Sequence, residues 1–122
     1  MTPNFNLLYV ADVERSSQFY NQLFGANPVE QSPGFALYVL PGGLKFGLWK
    51  KDNVEPAATP AGGFELGLPV QSDAEVDRIA GEWQDRGIAI LQVPTTMDFG
   101  RTFTAADPDG HRLRVFSPAN QP

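Results

Sequence analysis

Hydrophobic positions in this chain follow two periods, two residues and three to four residues, and the succession of periods occurs twice. Positions 5–10 predict a strand. Asp12 then stands where a helix N-cap belongs, and Val13, Ser16, Phe19, Tyr20, Leu23 and Phe24 are spaced for one buried helical face. Gly25 is the expected stop, because glycine adopts the left-handed terminal conformation without a side-chain clash, and Pro28 prevents resumption. Three short strands are predicted at 27–31, 34–40 and 43–50, separated by the turns Ser32-Pro33-Gly34 and Pro41-Gly42-Gly43. The stretch DNVEPAATPAGG that follows Lys51 has no period and predicts an exposed linker.

The succession then starts again. Phe64, Leu66, Leu68 and Val70 alternate as one face of a strand, and Ser72 with Glu75 three residues on forms a capping-box pattern. Val76, Ile79, Ala80 and Trp83 predict the next helical stripe, with Gly87 ending it as Gly25 ends the first. Strands are expected at 88–93, 99–105 and 111–116, the last two joined by the turn Asp107-Pro108-Asp109-Gly110. Each half reads βαβββ. The reading is therefore an α+β domain over 1–122, with module 1 over about 1–50, a linker over 51–62 and module 2 over about 63–117. One helix against four strands per half predicts a curved mixed sheet with helices on its outer face and the opposite face forming a cup.

Strand alternation assigns side chains to the two faces. Leu66, Leu68, Leu113 and Val115 belong on the helix side, which leaves Glu65, Gly67, Arg112, Arg114 and Phe116 for the cup. Overlaying Leu8-Tyr9-Val10 on Leu68-Pro69-Val70, and 43–49 on 110–116, places Phe5, Leu7, Tyr9, Lys45, Gly47 and Trp49 in the cup as well.

Composition narrows the chemistry. A chain of 122 residues allows one compact domain, and the absence of cysteine removes disulfides, thiolate nucleophiles and Cys-based zinc sites. Nine Lys plus Arg against fourteen Asp plus Glu give a net charge of −5, the wrong sign for gripping a nucleic-acid backbone. No apolar run approaches the roughly 20 residues that span a bilayer, and the N-terminus lacks a signal peptide's basic start. The expectation is a soluble, cytoplasmic protein with neither nucleic acid nor membrane as partner.

The paired βαβββ pattern, opened by LYVADVERSSQFY and closed by TAADPDGHRLRVFSP, resembles the vicinal oxygen chelate superfamily over essentially the whole chain. That superfamily spans glyoxalase I, extradiol dioxygenases, fosfomycin-resistance enzymes and bleomycin-resistance proteins, so its fold does not choose a reaction. NLLYVADVERSSQFY, FGRTFTAADPDGHRLRV and the Trp closing FGLW look most like the phenazine-resistance type of binding protein. The resemblance implies metal-ligand positions near Phe5, Gly47, Glu65 and Arg114, of which only Glu65 is a metal donor. About three His, Glu or Asp ligands are needed for divalent catalysis, so no metal, no other cofactor and no catalytic residue is expected. Glu65 and Arg114 are read as equivalent places in opposite modules that meet as an ion pair or share a polar group of a ligand.

The remaining cup then suits a flat guest. Trp49, with Phe5, Tyr9, Phe99, Phe103 and Phe116 as expected neighbours, offers stacking worth about 1–3 kcal/mol per ring. Lys45, Arg101, Arg112 and Arg114 are read as cup-side cations that match a carboxylate or phenolate, unlike cationic bleomycin. The segment Pro94 to Gly100 is read as a loop with the potential to act as a lid, with Met97 and Phe99 as adaptable contacts. Asp107 and Asp109 are assigned to turn geometry, not chemistry. The function expected is non-catalytic sequestration of a planar aromatic, phenazine-like antibiotic or metabolite; the alternative is a lyase or oxidoreductase of the same superfamily with an unusual or absent metal site. The resemblance further implies a homodimer whose cups are completed by the partner chain.

Overall fold

In the computed structural model, which describes residues 1–119, the strands fall into two four-stranded sheets, one in each of two compact units divided between Pro60 and Ala61. The last three residues of the expected domain lie outside the described residues. The first unit contains β1 (Phe5–Val10), α1 (Val13–Phe24), β2 (Glu30–Ser32), β3 (Phe35–Val39) and β4 (Lys45–Lys50). The second contains β5 (Glu65–Pro69), α2 (Asp73–Asp85), β6 (Ala89–Met97), β7 (Gly100–Ala106) and β8 (Arg112–Pro118). Sheet orders are β1-β4-β3-β2 and β5-β8-β7-β6. In both, the first strand runs parallel to the last and the other neighbours are antiparallel. This is the βαβββ repeat expected from the sequence, an α+β fold with mixed sheets.

Both helices begin and end where their caps dictate. The Asp12 carboxylate accepts from the Arg15 N–H at 3.1 Å, and the Ser72 hydroxyl accepts from the Glu75 N–H at 3.2 Å. Glu75 does not complete a reciprocal box; its carboxylate turns to Arg78 at 2.7 Å. Gly25 has φ 63° and Gly87 φ 78°. At the second end, the Ile88 N–H reaches the Trp83 carbonyl and the Gly87 N–H that of Gln84, each at 3.0 Å, so orphan carbonyls are satisfied.

Each helix buries one face of its sheet. In the first unit Tyr20, Phe24, Tyr38 and Phe46 interlock, with ring centroids 4.9 Å apart for Tyr20–Phe46 and 5.0 Å for Phe24–Phe46. In the second, Trp83 of α2 stands at 86° to Phe103 of β7 with centroids 5.2 Å apart, and Val115 opposite Phe103 and Leu113 opposite Ala105 are buried on the same sheet face. With the Asn21 amide oriented to donate, it reaches the Ser17 and Ala26 carbonyls and the Tyr38 phenol. The phenol in turn donates to the Ser17 carbonyl at 3.1 Å.

Two segments depart from expectation. β6 runs on through Met97, so the loop read as a lid is a strand closed by the two-residue turn Asp98-Phe99, with Met97 opposite Gly100. The register of β6 shifts twice, between Ile90 and Gln92 and between Gln92 and Thr95. The linker is not wholly exposed either: Lys51–Asn53 forms a 3-10 turn and Val54 is buried. Among the described residues no helix is long and apolar enough to cross a membrane.

Two outcomes follow from this packing. Gly100 has φ 136°, and a Cβ there would collide with the Ser117 carbonyl oxygen on β8 and lie 2.9 Å from the Ala119 nitrogen. Gly100→Ala should therefore cost at least about 2 kcal/mol in urea denaturation. Burial pushes the Tyr38 phenol up to about 12. From pH 10 upward the unfolded chain loses this proton while the folded one holds it, so stability that is constant below pH 10 falls as pH rises toward 12. A series of melting temperatures should show Tyr38→Phe flattening that alkaline decline.

Candidate functional site

A single helix covers one face of a four-stranded sheet, and the residues of opposite parity are left facing away from it. In β1, Leu8 and Val10 are 5% and 0% exposed, whereas Phe5, Leu7 and Tyr9 are 40%, 45% and 39% exposed. The expected assignment of this strand to its two faces is what the structure shows.

In the first unit this open face is aromatic and aliphatic, with the exposed cation Lys45 beside Phe5. The registers Phe5↔Lys45, Leu7↔Gly47 and Tyr9↔Trp49, with Phe35↔Trp49 on the other side, set these residues in rows across β1, β4 and β3. Gly47, in the central strand, has a steric role. A Cβ there would meet Leu7 Cδ2 at 2.7 Å, Phe35 Cζ at 2.9 Å and Phe5 Cε1 at 3.1 Å, so its absence lets these side chains close over the strand. Tyr9 and Trp49 meet edge to face at 6.1 Å and 79°.

In the second unit the same positions carry polar groups. Glu65 and Arg114 come together, but not from opposite modules: they lie on the neighbouring parallel strands β5 and β8, where Glu65 is in register with Arg112 and Gly67 with Arg114. Where the first unit has Leu7 beside Gly47, the second has Gly67 beside Arg114. A Cβ at Gly67 would come within 4 Å of the Phe116 ring, at 3.4 Å, and not of the guanidinium.

Arg114 is held on three sides. Nε and Nη2 donate to the two Glu65 oxygens at 2.7 and 2.8 Å, and Nη1 donates at 3.2 Å to both Gln92 Oε1 and Thr102 Oγ1. Its Cζ also sits 5.8 Å from the centroid of the Phe99 ring, within cation–π range. Phe99 stands edge to face with Phe116 at 6.3 Å. Gln92 is itself engaged, accepting from the Thr104 hydroxyl at 3.2 Å and donating to Met97 Sδ at 3.5 Å. The hydrogen bonds from Arg114 hold the Glu65 carboxyl below its usual range against partial desolvation, with the positive charges of Arg114 and Arg112 adding to the effect.

Phe5, Tyr9 and Trp49 are thus on the open face of the first unit, and Glu65, Arg114, Phe99 and Met97 on that of the second. Phe103 is not on an open face: it is opposite Val115, is fully buried and packs on Trp83. Arg101 is likewise on the helix side, bonded to Asp77 of α2 at 2.7 Å and to the Thr96 hydroxyl at 3.2 Å. Directly opposed residues of an antiparallel pair share a face, so β8 determines where β7 points. Gln92, Thr102 and Thr104 escaped the sequence reading; the one available signal was a polar residue within the apolar run at 88–93. Asp107 accepts from the Asp109 and His111 backbone N–H groups at 2.9 and 2.8 Å, the turn role expected for it.

The donor set does not fit the divalent cation used by metal-dependent members of this fold. Phe5 and Gly47 have no donor, and both Glu65 oxygens already hold a guanidinium. Among the described residues no three His, Cys, Asp or Glu side chains gather.

The chain is 36% identical over 118 residues to the phenazine antibiotic resistance protein EhpR of Enterobacter agglomerans, covering 94% of this chain and 91% of that one. It is 33% identical over 114 residues to a trivalent organoarsenical cleaving enzyme of a Bacillus species, covering 89% and 68%. Among solved structures, protein ATC0852 of Agrobacterium tumefaciens is 50% identical with a TM-score of 0.91, covering 98% of this chain and 99% of that one. A glyoxalase-related enzyme of Fulvimarina pelagi, 24% identical over 100% and 91% of the chains, shares the fold at a TM-score of 0.86. Residues 3–115 match the Glyoxalase/Bleomycin resistance protein/Dioxygenase superfamily, and the chain belongs to that superfamily.

Proposed function

We propose that this protein binds a planar aromatic antibiotic or metabolite of the phenazine type and protects by sequestering it, without converting it. The observation that carries the reading is the set of aromatic side chains left on open sheet faces after each helix has covered its own side. Phe5 and Tyr9 are 40% and 39% exposed in the first unit and Phe99 is 44% exposed in the second. Rings held edge to face by a neighbour, as Trp49 is with Tyr9 and Phe99 with Phe116, lose little conformational entropy on meeting a flat guest. The likeness to a phenazine antibiotic resistance protein supports the same reading.

The likeness to an organoarsenical cleaving enzyme favours a catalytic alternative. A soft trivalent arsenic centre calls for thiolate ligands, and this sequence has no cysteine. Glu65, the carboxylate best placed for acid–base work, is tied to Arg114 through both oxygens. These features weigh for binding over turnover.

The homodimer and the cytoplasmic setting belong to the same proposal. Support for self-association comes from edge strand β6, where Leu91 and Val93 are 51% and 68% exposed.

Titration with phenazines should quench Trp49 fluorescence, while Trp83, buried against Phe103, supplies a constant background. Trp49→Ala should weaken binding at least about tenfold by calorimetry, the loss of one stacking contact of about 1.4 kcal/mol. No binding of any phenazine up to millimolar concentration would remove the reading. Sedimentation equilibrium should return twice the chain mass, and Val93→Glu on β6 should shift it toward the monomer.

A further inference from the structure

We propose that Glu65 sets the charge selectivity of the guest: it occupies the anion-binding fork of Arg114, so the open face of the second unit takes an aromatic whose polar substituent is uncharged and carries a donor, and disfavours a free carboxylate. The inference rests on the aromatic-guest reading and deepens it. The cationic face expected from the sequence predicts the opposite preference.

A guanidinium recognises a carboxylate by two parallel N–H donors. Here the Nε and Nη2 pair is spent on Glu65 at 2.7 and 2.8 Å, and both Nη1 hydrogens are spent on Gln92 and Thr102 at 3.2 Å. Of the five N–H groups one on Nη2 remains, too few for bidentate capture. A guest carboxylate at this point must either displace Glu65, leaving that carboxylate without its partner, or lie beside it as a like charge. Each Glu65 oxygen, by contrast, keeps a lone pair for an incoming N–H or O–H. The edge beside Phe99 therefore presents one donor and two acceptors, the complement of a primary carboxamide or a phenol.

Other charges on this face do not reverse the argument. Arg112 is in register with Glu65 and adds one positive charge, but it is exposed, where attraction to an anion is weak and screened by salt. Arg101, read at first as a cation of this face, points to the helix side and is bonded to Asp77. Gln92 and Thr102 keep Arg114 from swinging away from Glu65, which makes them positioning residues for the selectivity.

The test compares phenazine-1-carboxamide with phenazine-1-carboxylate at pH 7.5, following heat of binding, in the wild type, Glu65→Gln and Glu65→Ala. The wild type should bind the carboxamide at least tenfold more tightly, and both substitutions should shrink that ratio tenfold or more, Glu65→Ala by freeing the Arg114 fork and Glu65→Gln by removing the like charge and one of its two acceptors. A smaller wild-type preference, a preference for the carboxylate, or a ratio unchanged in folded variants overturns the proposal while leaving aromatic binding intact. The wild-type ratio needs no variant and decides alone if the variants unfold. Failure of both compounds to bind the wild type instead brings down the aromatic-guest reading and this proposal with it.

Discussion

Each unit has four strands and one helix, and one helix has enough apolar surface to cover one face of such a sheet. Side chains of even and odd position along a strand point to opposite sides, so half the residues of every strand have no helix to pack on. In β1 this produces the contrast between Val10, fully buried, and Leu7, 45% exposed, only three residues apart. The helix side is finished as a core, with the Tyr20, Phe24, Tyr38 and Phe46 rings in one unit and the Trp83–Phe103 pair in the other. The open side is where the two units have diverged.

That divergence is plainest where the first strand of each unit pairs with the last. Leu7 lies beside Gly47 in the first unit, and Gly67 beside Arg114 in the second, in the same register. Bulk on the outer strand with glycine on the inner one yields an aliphatic and aromatic floor. Glycine on the outer strand with arginine on the inner one yields a polar floor, made stable because Glu65, Gln92 and Thr102 supply acceptors for four of the guanidinium's donors. A half-buried charge without such partners would be costly. The superfamily fold hosts many reactions, and in this chain Glu65, the one acid among the positions that the resemblance marks for metal ligands, holds the Arg114 guanidinium through both oxygens.

The same pair limits what electrostatics the site has to offer. Counting cations along the strands overstates the positive field, because Arg114 is neutralised by Glu65 and Arg101 by Asp77 of α2. Beside the exposed cations Lys45 and Arg112, the open faces offer dispersion and ring-quadrupole chemistry from Trp49, Tyr9, Phe5, Phe99 and Phe116. Such surfaces hold flat, polarisable molecules and discriminate among them by the few hydrogen-bonding groups at the rim.

The repeat, the helix ends and the alternation within β1, β4, β5 and β8 were legible in the sequence, because caps, glycine stops and two-residue periods are local properties. The pairing of Glu65 with Arg114 was legible too, though not the strands that bring them together. The faces of β6 and β7 were not. Whether Phe103 and Arg101 point to the helix or away depends on the loop between β7 and β8, where the Asp107 N–H bonds to the His111 carbonyl and sets Ala106 against Arg112. A shift of one residue would have reversed every side chain of the strand. Along β6 two register shifts break the alternation itself, which is how Gln92 reaches Arg114 from a run that reads as apolar. Local chemistry thus determined which elements exist and where they stop; register, which depends on hydrogen bonds between strands far apart in sequence, decided which side chains share the open face.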